Sequence, residues 1–296
     1  MHTKTFANAP VFSLFQDFAV VVQTGTIGQI SQALEILAAD PMFEGKPKAN
    51  ACFAKFRTLL ASNVPQWPVF AKQGNSKLPF VSFSTLPGVT CPGAGECLSF
   101  CYSFSSWRYP DSFFRQAQNA FLMRFYPTVI GGEIEKLFKV KKLANGFDFR
   151  LYVDGDFSSL HDVALWMNII RNHPTVNAYG YSKSFALLLR YDNEGQWPTN
   201  YTVNLSSGHN ADPVTAALFE ALPIVRGRFS AVNVGYAVTS AMHGTKEHDA
   251  KVREVYAAQT GKKAFVCPGE CGSCTPKGHA CGSKRFQNVD IIIAVH

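Results

Sequence analysis

The chain has 296 residues, of which 47% are hydrophobic, and it carries a formal net charge of +7 at pH 7. A chain of this length and composition can bury a large core, and no apolar run approaches the ~18 residues that a membrane span needs. The apolar stretch near the N-terminus is interrupted by Gln16 and Asp17, which is not typical of a signal peptide. We therefore expect a cytoplasmic protein without a membrane-spanning segment.

The positive net charge suits an anionic partner such as a nucleic acid or a nucleotide. The basic residues are spread along the chain, however, and charge alone identifies no partner. The closest cluster flanks apolar residues of a predicted helix and consists of Lys136, Lys139, Lys141 and Lys142. This arrangement is more typical of a solvated helix face than of a binding patch.

The first part of the chain is predicted to be helical. Apolar residues recur at helical spacing in Gln29–Ala39 and again in Cys52–Ser62. Proline and glycine then interrupt the stretch that follows. We therefore divide the chain into a helical N-terminal region, residues 1–75, and a main domain, residues 76–296.

Strand and helix patterns alternate through the main domain. Alternation of this kind is typical of a parallel sheet, and the number of units suggests a complete or partial (β/α) barrel, with an open doubly wound sheet as the alternative. The predicted strands are Phe80–Leu86, Phe147–Val153, Val176–Tyr181, Tyr201–Leu205, Ala231–Val238, Ala264–Val266 and Val289–Val295. The predicted helices are Ser112–Phe125, Ile134–Leu143, Val163–Arg171, Pro213–Leu222 and Lys246–Gln259.

Seven of the eight cysteines form two groups. The first cysteine group follows the first predicted strand and consists of Cys91, Cys97 and Cys101. The second cysteine group lies near the C-terminus and consists of Cys267, Cys271, Cys274 and Cys281. Clustered cysteines in a reducing compartment indicate metal or redox chemistry rather than disulfides. Neither group has the two paired C-x2-C units of structural zinc sites, so we predict one or two 4Fe–4S clusters, with zinc as the alternative metal.

The two groups predict different kinds of site. Three thiolates from the first group leave one iron of a cubane cluster without a protein ligand, and that iron could bind a small molecule. Cys281 can supply a fourth ligand to the second group, which predicts a closed site that is structural or relays electrons. His296 ends the last predicted strand and is a candidate fourth ligand or substrate contact for the first group. Cys52 stands apart, and we expect it to be a buried apolar residue of a helix.

Charged residues follow the next two predicted strands. Asp154 and Asp156 flank Gly155, and Lys183 follows the strand after that. The carboxyl ends of parallel strands lie on one face of the fold, where active sites of this architecture are built. We therefore predict that Asp154, Asp156 and Lys183 are catalytic, with the carboxylates acting as acid and base or as cation ligands. A turn that caps the next helix explains the carboxylates equally well.

Several of these motifs occur together between residues 80 and 296. They are T-C-P-G-A-G-E-C-L-S-F-C-Y at Thr90–Tyr102, R-L-Y-V-D-G-D-F-S-S at Arg150–Ser159, Y-G-Y-S-K-S within Trp166–Ser184, the second cysteine group and the final strand. In this combination they resemble the bacteriophage family called gene product eighty-eight. The resemblance implies a phage or plasmid origin, an iron–sulfur barrel and a location in the host cytoplasm. It implies no particular reaction.

The main domain is also remotely similar to radical S-adenosylmethionine barrels, whose first loop ends in C-Y as it does here at Cys101-Tyr102. Our first hypothesis is therefore an iron–sulfur enzyme of this kind that acts on a nucleic acid or a nucleotide. The C-x3-C-x2-C spacing of those enzymes occurs in the second group and not in the first, which leaves S-adenosylmethionine binding open. The alternative hypothesis is a non-enzymatic phage protein whose cysteines hold zinc or iron–sulfur for folding and for binding DNA or a host protein.

Overall fold

α-Helices and one sheet form the described part of the chain. The computed structural model describes residues 10–72, 80–269, 271–272, 274–275 and 279–295. Its helices are α1 (Pro10–Thr24), α2 (Ile27–Ala38), α3 (Pro47–Ser62), α4 (Pro110–Phe125), α5 (Pro127–Phe138), α6 (Leu160–Asn172), α7 (Phe185–Glu194), α8 (Pro213–Glu220) and α9 (Lys246–Thr260). Its strands are β1 (Ala71–Lys72), β2 (Val81–Ser82), β3 (Asp148–Leu151), β4 (Asn177–Ser182), β5 (Tyr201–Ser206), β6 (Val225–Val232), β7 (Ala264–Val266) and β8 (Asp290–Ala294).

The eight strands form a single sheet that is parallel except at one edge. The strand order is β1-β2-β3-β4-β5-β6-β8-β7, and only β1 runs antiparallel to its neighbour. Among the described residues β1 and β7 each pair with one strand, so the sheet is not closed. The predicted α/β class with mostly parallel strands is confirmed, whereas these strands do not form a complete barrel. No described helix is both long enough and apolar enough to cross a membrane.

Two of the element predictions are wrong in position. The predicted strand Ala231–Val238 is shifted, because β6 ends at Val232 and the next residues form a turn at Gly235, where φ is +79°. The strand itself contains arginines, which hide it from a search for alternating apolar residues. The predicted helix Ile134–Leu143 starts too late, because Pro127 occupies the first turn of α5 and opens that helix.

Two helices, α1 and α7, were not predicted. Gln16 and Asp17 interrupt the apolar stretch of α1 in sequence, but on a helix they fall away from the buried Phe15 and Phe18. The ten residues of α7 begin directly after the turn at Ser184. A short amphipathic helix without a strong cap gives little signal in sequence.

The N-terminal helices share one hydrophobic cluster with α4 and with the helix-covered face of the sheet. The rings of Phe15 and Phe113 stack with centroids 4.1 Å apart, and Phe56 packs on Phe114 at 5.5 Å. Each such aromatic side chain buries a large apolar area. The helical character predicted for this region is therefore present, and its helices lie against the main sheet. The domain boundary at residue 75 stays a prediction.

The other face of the sheet is polar and aromatic. Arg150 and Tyr179 are register partners on β3 and β4, and Tyr181 and Asn204 are partners on β4 and β5, so these four side chains share that face. The segment that carries the second cysteine group packs there, around a small cluster that includes Cys281. The two cysteine groups are therefore held by different parts of one sheet, its carboxyl edge and its polar face.

A buried amide on α4 holds the extended segment that leads into the sheet. The Gln118 Oε1 accepts hydrogen bonds from the backbone N–H groups of Gln66 and Trp67 at 2.6 and 3.0 Å. Its Nε2 donates to the carbonyl of Trp67 at 2.9 Å. The side chain thus provides bonds that a neighbouring strand would otherwise supply.

We predict that Gln118→Leu lowers the free energy of unfolding by about 3 kcal/mol, because it leaves two backbone N–H groups without an acceptor. Gln259→Leu on the exposed side of α9 is the matched control and should change stability by less than about 0.5 kcal/mol. Urea unfolding of both variants measures the difference. Equal losses would show that the amide does not hold the segment.

Candidate functional site

The loop that carries the first cysteine group lies across the carboxyl end of β5. The backbone N–H groups of Gly95 and Cys97 donate to the carbonyl of Gly208 at 3.0 and 3.2 Å. Ala94 pairs with His209 in an antiparallel bridge. These backbone hydrogen bonds fix the loop on the connection between β5 and α8. The three cysteines therefore lie at the carboxyl edge of the sheet, where the sequence predicted a site.

Two glycines permit this close approach. A Cβ at Gly93 would lie 1.8 Å from the carbonyl oxygen of Lys183, in the turn after β4. A Cβ at Gly208 would lie 2.9 Å from the backbone nitrogen of Cys97, and Gly208 also has a φ of +73° that favours glycine. A side chain at either position would push the cysteine loop away from the sheet.

Asp156 organises the turn between β4 and α7. Its buried carboxylate accepts hydrogen bonds from the N–H of Phe157 at 2.8 Å, the hydroxyl of Ser182 at 2.9 Å, and the N–H groups of Lys183 and Ser184 at 2.7 and 3.2 Å. Burial raises the pKa of Asp156, and the N–H groups of Lys183 and Phe157 partly offset this. With four donors around the carboxylate, Asp156 fixes the position of Lys183. The helix that follows β3, α6, is capped by Ser159 and not by either aspartate.

Asp154 has fewer partners and lies beside Cys101. Its Oδ2 accepts a hydrogen bond from Gln116 Nε2 at 3.0 Å. Burial raises the pKa of Asp154, while hydrogen bonding to Ser103 and the charge of Arg115 act in the opposite direction. A carboxyl group with a raised pKa can hold a proton closer to neutral pH. Burial raises the pKa of Asp156 in the same direction, so the two carboxyl groups differ in their hydrogen-bond partners and not in the direction of the shift.

Lys183 connects the first cysteine group with the carboxylates. Its Nζ donates to Ser206 Oγ at 2.7 Å, which directs the ammonium along the carboxyl edge of β5. Burial raises the pKa of the Cys91 thiol, the charge of Asp156 raises it further, and Lys183 lowers it. Burial also raises the pKa of Cys101, with smaller contributions in the same direction from Asp154 and Cys97.

These mutual effects show that six predicted site residues lie in one region at the carboxyl edge of the sheet: Cys91, Cys97, Cys101, Asp154, Asp156 and Lys183. The seventh, His296, lies outside the described residues. The catalytic roles of Asp154, Asp156 and Lys183 stay predictions.

The backbone after β3 is strained where it turns toward the site. Tyr152 has a φ of +55°, which is uncommon for a residue other than glycine. Its hydroxyl accepts a hydrogen bond from the Trp166 indole at 3.1 Å, and its ring packs against Phe157. Strain of this kind persists where the surroundings hold it, and it concentrates at functional sites. No sequence pattern marked Tyr152.

The second cysteine group gathers on the polar face of the sheet. The N–H of Cys267 donates to the carbonyl of Ile292 at 2.8 Å, and the carbonyl of Cys281 accepts from Asn204 Nδ2 at 3.0 Å. Burial raises the pKa of Cys267 to about 12, and the neighbouring thiols of the group contribute to that rise. Burial raises the pKa of Cys281 to about 11. The four cysteines of the group therefore lie close together, in one small cluster of the polar face.

Two arginines accompany the second cysteine group. Arg150 Nη1 lies 3.9 Å from Cys271 Sγ, and its guanidinium lies over the ring of Tyr181 at 4.8 Å. The fully buried Arg226 donates to Asn204 Oδ1 at 2.6 Å and to the carbonyl of Val289 at 2.7 Å. In the described part of the chain neither arginine forms an ion pair with a carboxylate. The sequence analysis did not identify either arginine as a site residue. An arginine within a predicted strand could have indicated a buried charged group.

The donor set of the two groups fits a soft metal centre. Thiolates select zinc and iron–sulfur clusters over harder cations. Arg150 Nε is buried without a hydrogen-bond partner, and a buried cation of this kind is stabilised by an anionic group such as a metal–thiolate centre. Among the described residues no three histidine, cysteine, aspartate or glutamate side chains stand at the geometry of a metal site. The residues that would hold a metal are the seven cysteines of the two groups.

Comparison with known families gives one match. The model of a family described as "Gene product 88" matches residues 57–289. That range includes both cysteine groups, Asp154, Asp156 and Lys183, and it leaves α1 and α2 outside. Curated proteins and solved structures give no match.

We predict that Gly93→Ala displaces the first cysteine loop, because the new Cβ meets the carbonyl of Lys183. The expected cost is about 3 kcal/mol of unfolding free energy, with faster labelling of Cys91 by a thiol reagent. Gly131→Ala is the control, since a Cβ there meets nothing within 4 Å in helix α5, and it should stabilise the protein by up to about 1 kcal/mol. Unchanged labelling in Gly93→Ala would contradict the close seating of the loop.

Proposed function

This chain belongs to the bacteriophage family described as "Gene product 88", and we propose that it is an iron–sulfur enzyme on a partial (β/α) barrel, similar to radical S-adenosylmethionine proteins. The observation that supports this best is the position of the first cysteine group. It lies at the carboxyl edge of the parallel strands, beside Asp154 and Lys183. Enzymes with parallel α/β folds build their active sites at that edge.

We propose a different metal centre for each of the two cysteine groups. Cys91, Cys97 and Cys101 would provide three thiolates to a 4Fe–4S cluster, and the second group would provide four thiolates to a closed centre. When bound, a cluster with three cysteine ligands supplies electrons and one open coordination position. S-adenosylmethionine is the proposed occupant of that position, and His296 is a proposed further contact there.

The charged side chains of the site would orient a substrate. Lys183 is held by Asp156 at its backbone and by Ser206 at its ammonium, so its charge has a fixed position. That charge suits the phosphate of a nucleotide or nucleic acid, in keeping with the net charge of +7. Asp154, with its raised pKa, would hold or accept a proton at its carboxyl oxygen.

The alternative function is a non-enzymatic phage protein in which zinc or iron–sulfur stabilises the fold for binding DNA or a host protein. The observation that favours it is the engagement of Asp156, whose carboxylate accepts hydrogen bonds from the adjacent Phe157 and from three donors at the end of β4 and in the turn after it. Both functions require metal at the cysteines. They differ in whether the first group leaves an iron open to a small molecule.

We expect protein purified without oxygen to be brown and to contain iron and acid-labile sulfide in equal amounts, because the groups lack the paired units of zinc sites. Metal analysis and the visible spectrum test this. A colourless protein with stoichiometric zinc and no sulfide would contradict the iron–sulfur assignment.

We further expect added S-adenosylmethionine to change the electron paramagnetic resonance signal of the reduced protein. Cys101→Ala should lose that change, while Cys52→Ala keeps it, because only Cys101 belongs to the first group. An unchanged wild-type signal in a protein that contains clusters would favour the non-enzymatic alternative.

Replacing a cysteine of the second group should harm folding more than replacing Cys52. A closed metal site contributes its binding free energy to folding, so Cys271→Ala or Cys274→Ala should cost more than about 3 kcal/mol. Cys52 is buried on α3, and Cys52→Ala removes one small packed side chain, worth about 1 kcal/mol. Thermal unfolding of the three variants measures the difference, and equal stabilities would count against a metal at the second group.

A further inference from the structure

A cavity of about 390 Å³ opens at the amino ends of β3, β4 and β5. It lies at the opposite end of these strands from the first cysteine group. This volume is at the lower end of the range in which proteins bind small organic molecules. The described residues that line it are Asp148, Asn177, Thr199, Asn200, Thr202, His279, Gly282, Ser283, Lys284 and Arg285.

The lining of this cavity is polar. Hydroxyl, amide and charged side chains predominate, and among the described lining residues the imidazole of His279 is the only ring. A nucleobase or another flat apolar group would therefore find little surface to stack on apart from that ring. Hydroxyl and amide groups are suited instead to a ligand that is rich in hydroxyl groups.

One wall of the cavity is a fixed carboxylate. Asp148 Oδ1 accepts a hydrogen bond from Asn177 Nδ2 at 2.7 Å, and its Oδ2 lies 3.7 Å from His279 Nε2. His279 Nδ1 accepts from the N–H of Gly282 at 3.1 Å, which leaves the ring proton on Nε2, toward Asp148. The neighbouring imidazole of His279 and the hydrogen bond from Asn177 lower the pKa of Asp148, so the carboxylate is ionised at neutral pH.

Two cations that are adjacent in sequence also line the cavity. Lys284 Nζ donates to the carbonyl of Thr199 at 3.3 Å, which holds this side chain against the cavity wall. Arg285 follows in the same short helical turn, capped by Ser283 Oγ. Guanidinium and ammonium groups are the side-chain groups that proteins use to bind phosphate. The cavity lining thus contains two cations and a carboxylate.

We propose that this cavity is a binding site for a small sugar phosphate. The phosphate binds Lys284 and Arg285, and the sugar hydroxyls donate to Asp148 and contact Thr202. Asp148 disfavours a second anionic group beside it, which selects a ligand with one phosphate and several hydroxyls. The proposed ligand contacts none of the cysteines, although part of the lining belongs to the segment that carries Cys281.

Isothermal titration of the full chain with ribose 5-phosphate, inorganic phosphate and ribose tests the proposal. Ribose 5-phosphate should bind more tightly than either part alone. The double variant Lys284→Ala/Arg285→Ala should weaken its binding by about tenfold or more, because two charge-assisted hydrogen bonds are lost. The matched control Lys141→Ala/Lys142→Ala removes two adjacent exposed lysines elsewhere and should leave binding unchanged. Thermal unfolding establishes that each variant is folded.

A second variant distinguishes the loss of the carboxylate charge from a general disruption of the cavity. Asp148→Asn should weaken binding of ribose 5-phosphate, because the sugar hydroxyls lose an ionised acceptor, and strengthen binding of inorganic phosphate, because a repelling charge is removed. Three results would overturn the proposal: no binding of ribose 5-phosphate at millimolar concentration, equal losses in the two double variants, or tighter binding of adenosine 5′-phosphate than of ribose 5-phosphate.

Discussion

The parallel pairing of β2 through β6 decides where the six described candidate residues of the first site lie. Because these five strands run in one direction, the loops that follow β2, β3, β4 and β5 emerge at the same edge. A cysteine loop, a pair of aspartates and a lysine that are far apart in sequence therefore become neighbours. Two local features then hold the first cysteine loop close to the sheet. They are the backbone hydrogen bonds to Gly208 and the absence of a side chain at Gly93.

The two faces of the sheet impose different demands on the chain. One face is covered by helices and is apolar, and it needs only hydrophobic residues of suitable size. The other holds Arg150, Arg226 and four thiols, and buried charges and polar groups are stable only if each finds a partner. Arg226 meets this demand through oxygen atoms of Asn204 and Val289. The thiols of the second cysteine group lie next to one another and next to other protein groups. A metal bound between these thiols would add its binding free energy to the stability of this face.

Much of this arrangement could be predicted from the sequence, and the exceptions have physical reasons. Strands such as β4 and β7 were found because aromatic and β-branched residues cluster there, and the cysteine spacing needed no structure. β6 was misplaced because Arg226 donates to distant carbonyls and Arg228 pairs with the carboxylate of Glu220, which no pattern of alternating apolar residues records. The strained φ of Tyr152 and the engagement of Asp156 also arise from contacts between segments remote in sequence. The polar cavity is formed by the starts of three strands and the residues after Cys281, so no single stretch indicated it.

The strand order has a consequence for how the protein is assembled as it is synthesised. β8 follows β7 in sequence but lies between β6 and β7 in the sheet. β7 can therefore not join the sheet until residues 290–294 have left the ribosome, and β6 presents an open edge until then. The guanidinium of Arg226 also cannot form its hydrogen bonds to the carbonyls of Phe286 and Val289 until these residues have been synthesised. The first cysteine loop can pack on β5 much earlier. A nascent chain therefore brings the first cysteine group together long before the second cysteine group.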